Sequence, residues 1–177
     1  MRCLVSTETL PSRTRGEIIS SSLGGFAAIF LIAWGSGWVL AAQDVPFIVA
    51  SMGAAAVLIF AAPKSTMSQP WPLIAGHLIS AAIGVSCAKF IPDLALASAV
   101  AVGGAIFCMH LSRCLHPPGG AAALVAVIGG DSIQALGYGY LLAPVGMNVL
   151  IILLVAVLFN NALAGKPYPM RKSEARD

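Results

Sequence analysis

Charged side chains are what this chain has least of. They make up 10% of its 177 residues, where a soluble globular domain carries about a quarter. That scarcity excludes a solvated surface over most of the chain. With 58% hydrophobic residues and a mean hydropathy of +0.89, it leaves a membrane protein. Other absences narrow the function. There is no His-Glu-x-x-His helix, no Asp pair and no Gly-x-Ser-x-Gly turn in the apolar stretches, and acids stand only at loop edges. Intramembrane catalysis is therefore not expected, and the chain is read as a non-enzyme. No basic, aromatic-interleaved surface points to nucleic acid. The four cysteines, Cys3, Cys87, Cys108 and Cys114, form no Cys-x-x-Cys pair, so neither a metal centre nor a cofactor is expected. Cys114 stands near His110 and His116, but an ordinary buried thiol beside a functional histidine is the better reading than a soft-metal site.

The rare charges act as rulers. Between them lie uncharged runs of 26 residues (Ile18–Gln43), 19 (Val45–Pro63), 24 (Ser65–Ala88), 19 (Leu94–Ser112), 17 (Cys114–Gly130) and 34 (Ser132–Gly165). A bilayer crossing takes about 20. Four runs are comfortably long enough, and two are shortened by Pro and Gly. The expected fold is all-α: a polytopic membrane bundle of four long transmembrane helices plus two short broken or half helices. The long spans are placed at Ile18–Ala41, Leu73–Phe90, Leu94–Leu111 and Leu141–Leu163, and the short pieces at Phe47–Ala62 and Pro117–Ile128. The first run is too long for a secretory signal. Residues 1–16 are read as a tail, 17–165 as one transmembrane domain, and 166–177 as a second, basic tail.

Basic residues concentrate at both ends of the chain, which places both termini in the cytoplasm of a cell (inner) membrane and requires an even number of crossings. If the short pieces complete crossings, Lys64 and Arg113 fall in inner turns, with Asp44, Lys89, Asp93 and Asp131 in outer ones. That arrangement preserves the positive-inside bias. It also makes the two halves, about 18–90 and 94–163, an inverted repeat in which the short helices start from opposite faces. Gly53-Ala54-Ala55-Ala56-Val57-Leu58 aligns with Gly120-Ala121-Ala122-Ala123-Leu124-Val125 at an offset of 67 residues. Short, Gly/Pro-interrupted segments at matching places in two halves are a pointer to a transporter's substrate site.

The chemically distinctive stretch is Arg113 to Leu124. Pro117 and Pro118 suit the first turn of a helix that runs on through the alanines. The start of that helix, beside Arg113 and the titratable His116, reads as an anion site. The substrate-binding candidates are thus His116, Pro117, Pro118, Gly119, Gly120, Ala121 and Arg113, with Ser51 and Gly53 from the other half. Arg113 would draw anions to the mouth, the Gly119, Gly120 and Ala121 amides would bind them, and His116 would donate a hydrogen bond or a proton. His77, His110 and Asn148 are candidate pathway residues. Asn148 reads rather as interhelical glue, and His77 as a packed residue. Trp34 and Trp38 suit an interfacial aromatic belt. Gly24-Gly25 and Gly103-Gly104 offer flat faces for helix packing or for a homo-oligomer.

These residues resemble the HPP family of integral membrane proteins. The likeness rests on His116-Pro117-Pro118 followed by Gly119-Gly120-Ala121, on Gly53 to Phe60 ending in Pro63, and on Gln69-Pro70, Gly76-His77 and Tyr140-x-x-x-Pro144. It runs from about residue 17 to 169. The resemblance implies four transmembrane helices and, through family members associated with nitrite transport, a small inorganic anion as cargo. The expectation is a transporter or channel for such an anion in a lipid bilayer. The alternative is a non-transporting assembly subunit of a membrane complex.

Overall fold

The computed structural model describes residues 14–162 and 167–170, and among them it is helical with no strand. Four stretches are long and apolar enough to cross a membrane: Arg15–Ser36, Pro70–Phe90, Leu94–Leu111 and Asp131–Asn161. Two shorter apolar helices complete the set, as the uncharged runs predict.

Helix α1 (Arg15–Ser36) opens on a capping box in which Thr14 accepts from the Glu17 amide and Glu17 accepts from the Thr14 amide. It therefore starts two residues inside the expected tail. It stops at Ser36 rather than Ala41, because Gly35-Ser36-Gly37 ends the helix and Trp38 to Leu40 turn back. Helix α2 (Val45–Ala56) continues through a π turn, Val57–Ala61. Helix α3 (Pro70–Phe90) has a proline at its first position, where the missing N–H costs nothing. Helix α4 (Leu94–Leu111) is capped by Asp93, whose carboxylate accepts from the Leu96 amide at 2.7 Å. Helix α5 (Pro117–Ile128) and α4 have the bounds read from the sequence.

The last span differs from expectation. It is broken into a short α6 (Asp131–Ala135), a 3-10 stretch (Gly137–Leu141), a π turn (Leu142–Gly146) and α7 (Met147–Ala162). The break falls at Ala143, which is extended (φ −139, ψ 122) because it precedes Pro144. Leu163 lies outside the described residues.

The crossings alternate in direction. At one end of the bundle the Trp71 indole donates to the Ser112 carbonyl, the Tyr168 hydroxyl to the Ser68 carbonyl at 2.7 Å, and the Met170 amide to Gln69 Oε1. This near end gathers the start of α3, the end of α4 and the segment after α7. Gly24, early in α1, lies against Phe60, in the π turn that follows α2, and Phe159, late in α7. Lys64 and Arg113 therefore share the near end with the start of α1 and the finish of α7. At the far end Asp44, buried among the described residues, accepts from the Ser132 amide and hydroxyl, and Lys89 lies over the Tyr138 ring. The described part of the expected C-terminal tail, Tyr168 to Met170, folds back on the 63–69 loop.

Packing follows small residues. Helix α3 is packed chiefly against α5 and α4, α1 against α7 and α2, and α2 against α5. Side chains facing outward are large and apolar, including Phe26, Phe30, Phe107, Leu150, Leu154 and Leu158. In water such a band would cost free energy; in lipid it is the solvent-facing surface. Trp34 and Trp38 are exposed at the far end of α1, as a belt requires. Gly24 and Gly104 make close helix contacts, whereas Gly25 and Gly103 face open space.

Candidate functional site: a histidine pair in the α3–α5 seam

The seam between α3 and α5 is set by three glycines. A Cβ at Gly84 would collide with the Ala123 backbone, one at Gly119 would come within 2.8 Å of the Gly76 carbonyl, and one at Gly76 within 2.7 Å of His116 Cβ. With hydrogen at each position the two backbones approach closely. The Tyr140 hydroxyl holds α5 in place by donating to the Ala122 carbonyl at 3.1 Å.

This packing brings together two histidines 39 residues apart in sequence. His77 on α3 and His116 at the start of α5 are both fully buried, with ring centroids 4.7 Å apart and planes tilted by 50°. His77 Nδ1 lies 2.9 Å from the Leu73 carbonyl, and His116 Nδ1 lies 2.7 Å from the Met67 carbonyl. A carbonyl oxygen only accepts, so each Nδ1 carries a hydrogen. In the neutral ring Nε2 then carries a lone pair, and both Nε2 atoms are buried without a partner. Ser80 Oγ, one turn along α3 and 3.0 Å from where a Gly119 Cβ would sit, is also buried and unpartnered.

The remaining sequence candidates divide. Ser51 reaches the seam, donating its hydroxyl to the Pro118 carbonyl at 3.3 Å. Those positions are 67 residues apart, the offset that aligns the two halves. Gly53 and Gly120 have open space where a side chain would project. Arg113 and His110 are exposed and line a cavity of about 310 Å³ at the near end, with Thr66, Met67, Pro72 and Met109. Met67 and Met109 separate that cavity from the pair: the Met67 carbonyl holds His116, and Met109 Sδ lies 3.5 Å from the Gly76 Cβ position. A second cavity of about 130 Å³ lies at the far end of the same seam, between Val85, Lys89, Ala126 and Gln134. Asn148 is not in the seam. Its amide donates to Ser36 Oγ at 2.9 Å across α1 and α7, which is the glue reading. Ser80 was missed by sequence reasoning; the Gly76, Ser80, Gly84 ladder, small residues four apart, is the signal that could have found it.

The start of α5 has little backbone donor capacity to spare. The Gly119, Gly120 and Ala121 amides do not form an open anion cradle. Pro117 and Pro118 have no N–H to offer, the Gly119 N–H is already bonded to the His116 carbonyl at 2.8 Å, and the next amides fall within the helical i→i−4 register. Among the described residues no group of three metal-ligating side chains occurs. Cys114 is buried in the turn before α5.

An all-helical bundle with alternating crossings, an apolar outer band and a buried polar pair is a polytopic membrane protein. The HPP transmembrane region matches residues 10–169, and the chain belongs to the HPP family. A transmembrane protein of Dictyostelium discoideum is 37% identical over 158 residues, covering 87% of this chain and 50% of that protein. A second from the same organism is 37% identical over 127 residues, covering 70% and 44%. The chain thus spans about half the length of the curated relatives it matches. No solved structure matches it.

Proposed function

We propose that this protein is a transporter or channel for a small inorganic anion, with nitrite as the named substrate, and that the α3–α5 seam is its pathway. The observation that carries this reading is a buried polar cluster with unpartnered atoms, His77, His116 and Ser80, set between cavities at opposite ends of one seam. Unpartnered polar atoms inside a membrane protein cost free energy and need a purpose. Arg113 at the near-end cavity supplies positive potential at the mouth. Nitrite enters through the family resemblance.

The alternating crossings and the Ser51–Pro118 contact support an inverted repeat, with α2 and α5 starting from opposite ends. Arg15, Lys64 and Arg113 at the near end, against Lys89 at the far end among the described residues, support a cytoplasmic near end.

The test is flux. Purified protein in liposomes at mildly alkaline pH, where leakage of the neutral acid is least, is to take up nitrite, nitrate, formate or chloride faster than protein-free vesicles. No protein-dependent flux of any of them rejects transport. Cysteines introduced as Lys64→Cys and Asp131→Cys are to label from opposite sides of the membrane; labelling from one side rejects the inverted arrangement.

A further inference from the structure

The unpartnered nitrogens of the histidine pair specify the form in which a ligand can be held there. With both Nδ1 hydrogens committed to the Leu73 and Met67 carbonyls, the neutral pair presents two lone pairs. Ser80 contributes one hydroxyl that either donates or accepts. Such a face is short of donors, the opposite of what a bare anion needs. The usual source of donors, a helix N-terminus, is closed at α5 by two prolines and by the Gly119–His116 bond.

Nor does a neighbouring cation compensate. Helix α2 approaches the seam with Ser51, α4 with Met109, the α4–α5 turn with the Cys114 carbonyl, and the loop before α3 with the Met67 carbonyl. Cys114 and the histidines themselves are the buried titratable groups these elements bring; Tyr140, from the 3-10 stretch packed on α3, donates its hydroxyl to the Ala122 carbonyl, and Lys64 in the loop before α3 is exposed. Arg113 and His110 are exposed at the cavity beyond Met67 and Met109. The buried carboxylate among the described residues, Asp44, is held at the far end. An unpaired anion placed against the pair would carry its charge into a buried site with no cation beside it among the described residues.

We propose that the His77–His116–Ser80 site takes its small anion together with one proton, so that the species held in the seam is electrically neutral. This rests on the anion-transport reading above. The proton lies between one Nε2 and one substrate oxygen, either as acid O–H donating to the nitrogen or as N–H donating to the anion. Ser80 donates to a second oxygen. On release the anion and the proton leave on the same side, and both rings return to the neutral state. No redox step is involved, and the net charge moved is zero.

The experiment separates two driving forces in the full-length protein reconstituted in liposomes. In one arm a pH difference of one unit is imposed with the potential clamped at zero by valinomycin and equal potassium. In the other a potassium diffusion potential is imposed at equal pH. Initial rates of formate and nitrite uptake are read over protein-free vesicles, with a lumenal pH dye. The expected result is uptake that follows the pH difference, towards about tenfold accumulation per unit, with lumenal acidification and no response to the potential. His116→Gln keeps a donor for the Met67 carbonyl but cannot take up a proton, and pH-driven uptake should fall at least about tenfold, a loss of about 1.4 kcal/mol of coupling.

Flux that follows the potential and ignores the pH difference overturns the inference and leaves anion transport standing. pH-driven flux unchanged in His116→Gln also overturns it. No protein-dependent anion flux, or uptake of methylammonium in its place, overturns both readings. If the variant does not fold, the two wild-type arms decide the matter alone.

Discussion

Two polar pairs buried between helices use their hydrogen-bonding capacity in opposite ways, in a bundle where Ser20 Oγ on α1 and Asn160 Nδ2 on α7 are also buried without a partner. Between α1 and α7, Ser36 and Asn148 bond to each other through both donor and acceptor, at 2.9 and 3.3 Å, so that each of their polar atoms has a partner. Between α3 and α5, His77 and His116 anchor one nitrogen each and leave the other bare, with Ser80 beside them. A polar pair that closes on itself holds helices together; a pair that stays half open keeps capacity for something else. The difference predicts that stability and transport will separate by seam.

The largest effect is expected from His77→Leu. Removing an open-faced ring should cut flux by about tenfold or more, the equivalent of at least about 1.4 kcal/mol. The protein should stay folded within about 1 kcal/mol, since the Leu73 carbonyl keeps its helical partner. Denaturation midpoints in detergent and flux in liposomes, measured on the same preparation, check this. Loss of both together would make His77 structural and erase the contrast.

Gly84→Leu should come next, acting through geometry rather than chemistry. The side chain would drive α3 away from the Ala123 backbone. Overpacking of this kind costs about 1–3 kcal/mol, read as a lowered midpoint with flux falling alongside. A fully stable variant would show that the close approach is not needed.

Asn148→Leu should cost less, about 0.6–1.7 kcal/mol in line with interhelical hydrogen bonds in lipid, with flux per folded molecule unchanged. A flux defect in a fully stable Asn148→Leu protein would move the pathway into the α1–α7 seam. Arg113→Gly should have the smallest effect on stability and a split sign. Arg113 sits at φ +50, a left-handed conformation that costs a side-chain-bearing residue about 1 kcal/mol, so glycine should raise the midpoint slightly. Flux at low anion concentration should fall by about two- to threefold and the difference should vanish in high salt. A salt-independent loss would place Arg113 inside the pathway.

Much of the fold was legible because lipid leaves few alternatives. Asp93 and Arg113 bound an uncharged run with no proline, so α4 could be read to the residue; Pro117 and Gly129 did the same for α5. Helix ends in the first and last spans were misjudged where the chain stays apolar after the helix stops, at Trp38 to Leu40 and at Leu141 to Val145. Hydropathy reports lipid preference and is silent on where hydrogen bonding changes from α to π or 3-10. For the site, the motif residue His116 was legible from its prolines. Its pairing with His77 was not, because it depends on α3 and α5 running side by side through Gly76, Gly84 and Gly119. The direction of its free nitrogen was hidden too, since the Met67 carbonyl that fixes it comes from a loop 49 residues away.

The two prolines have a further consequence for how this chain sits in a bilayer at all. A helix terminus normally exposes several backbone donors, and leaving them in hydrocarbon costs several kcal/mol each. Pro117 and Pro118 delete two of those donors, and Gly119 closes the third on the residue before them. Helix α5, only 12 residues and about 18 Å long, can therefore begin below the headgroups without recruiting water to its first turn. The His-Pro-Pro triplet works as a dry terminus. Such a terminus can meet hydrocarbon without water, and it leaves the imidazole as the polar side chain that the helix start brings into the bundle.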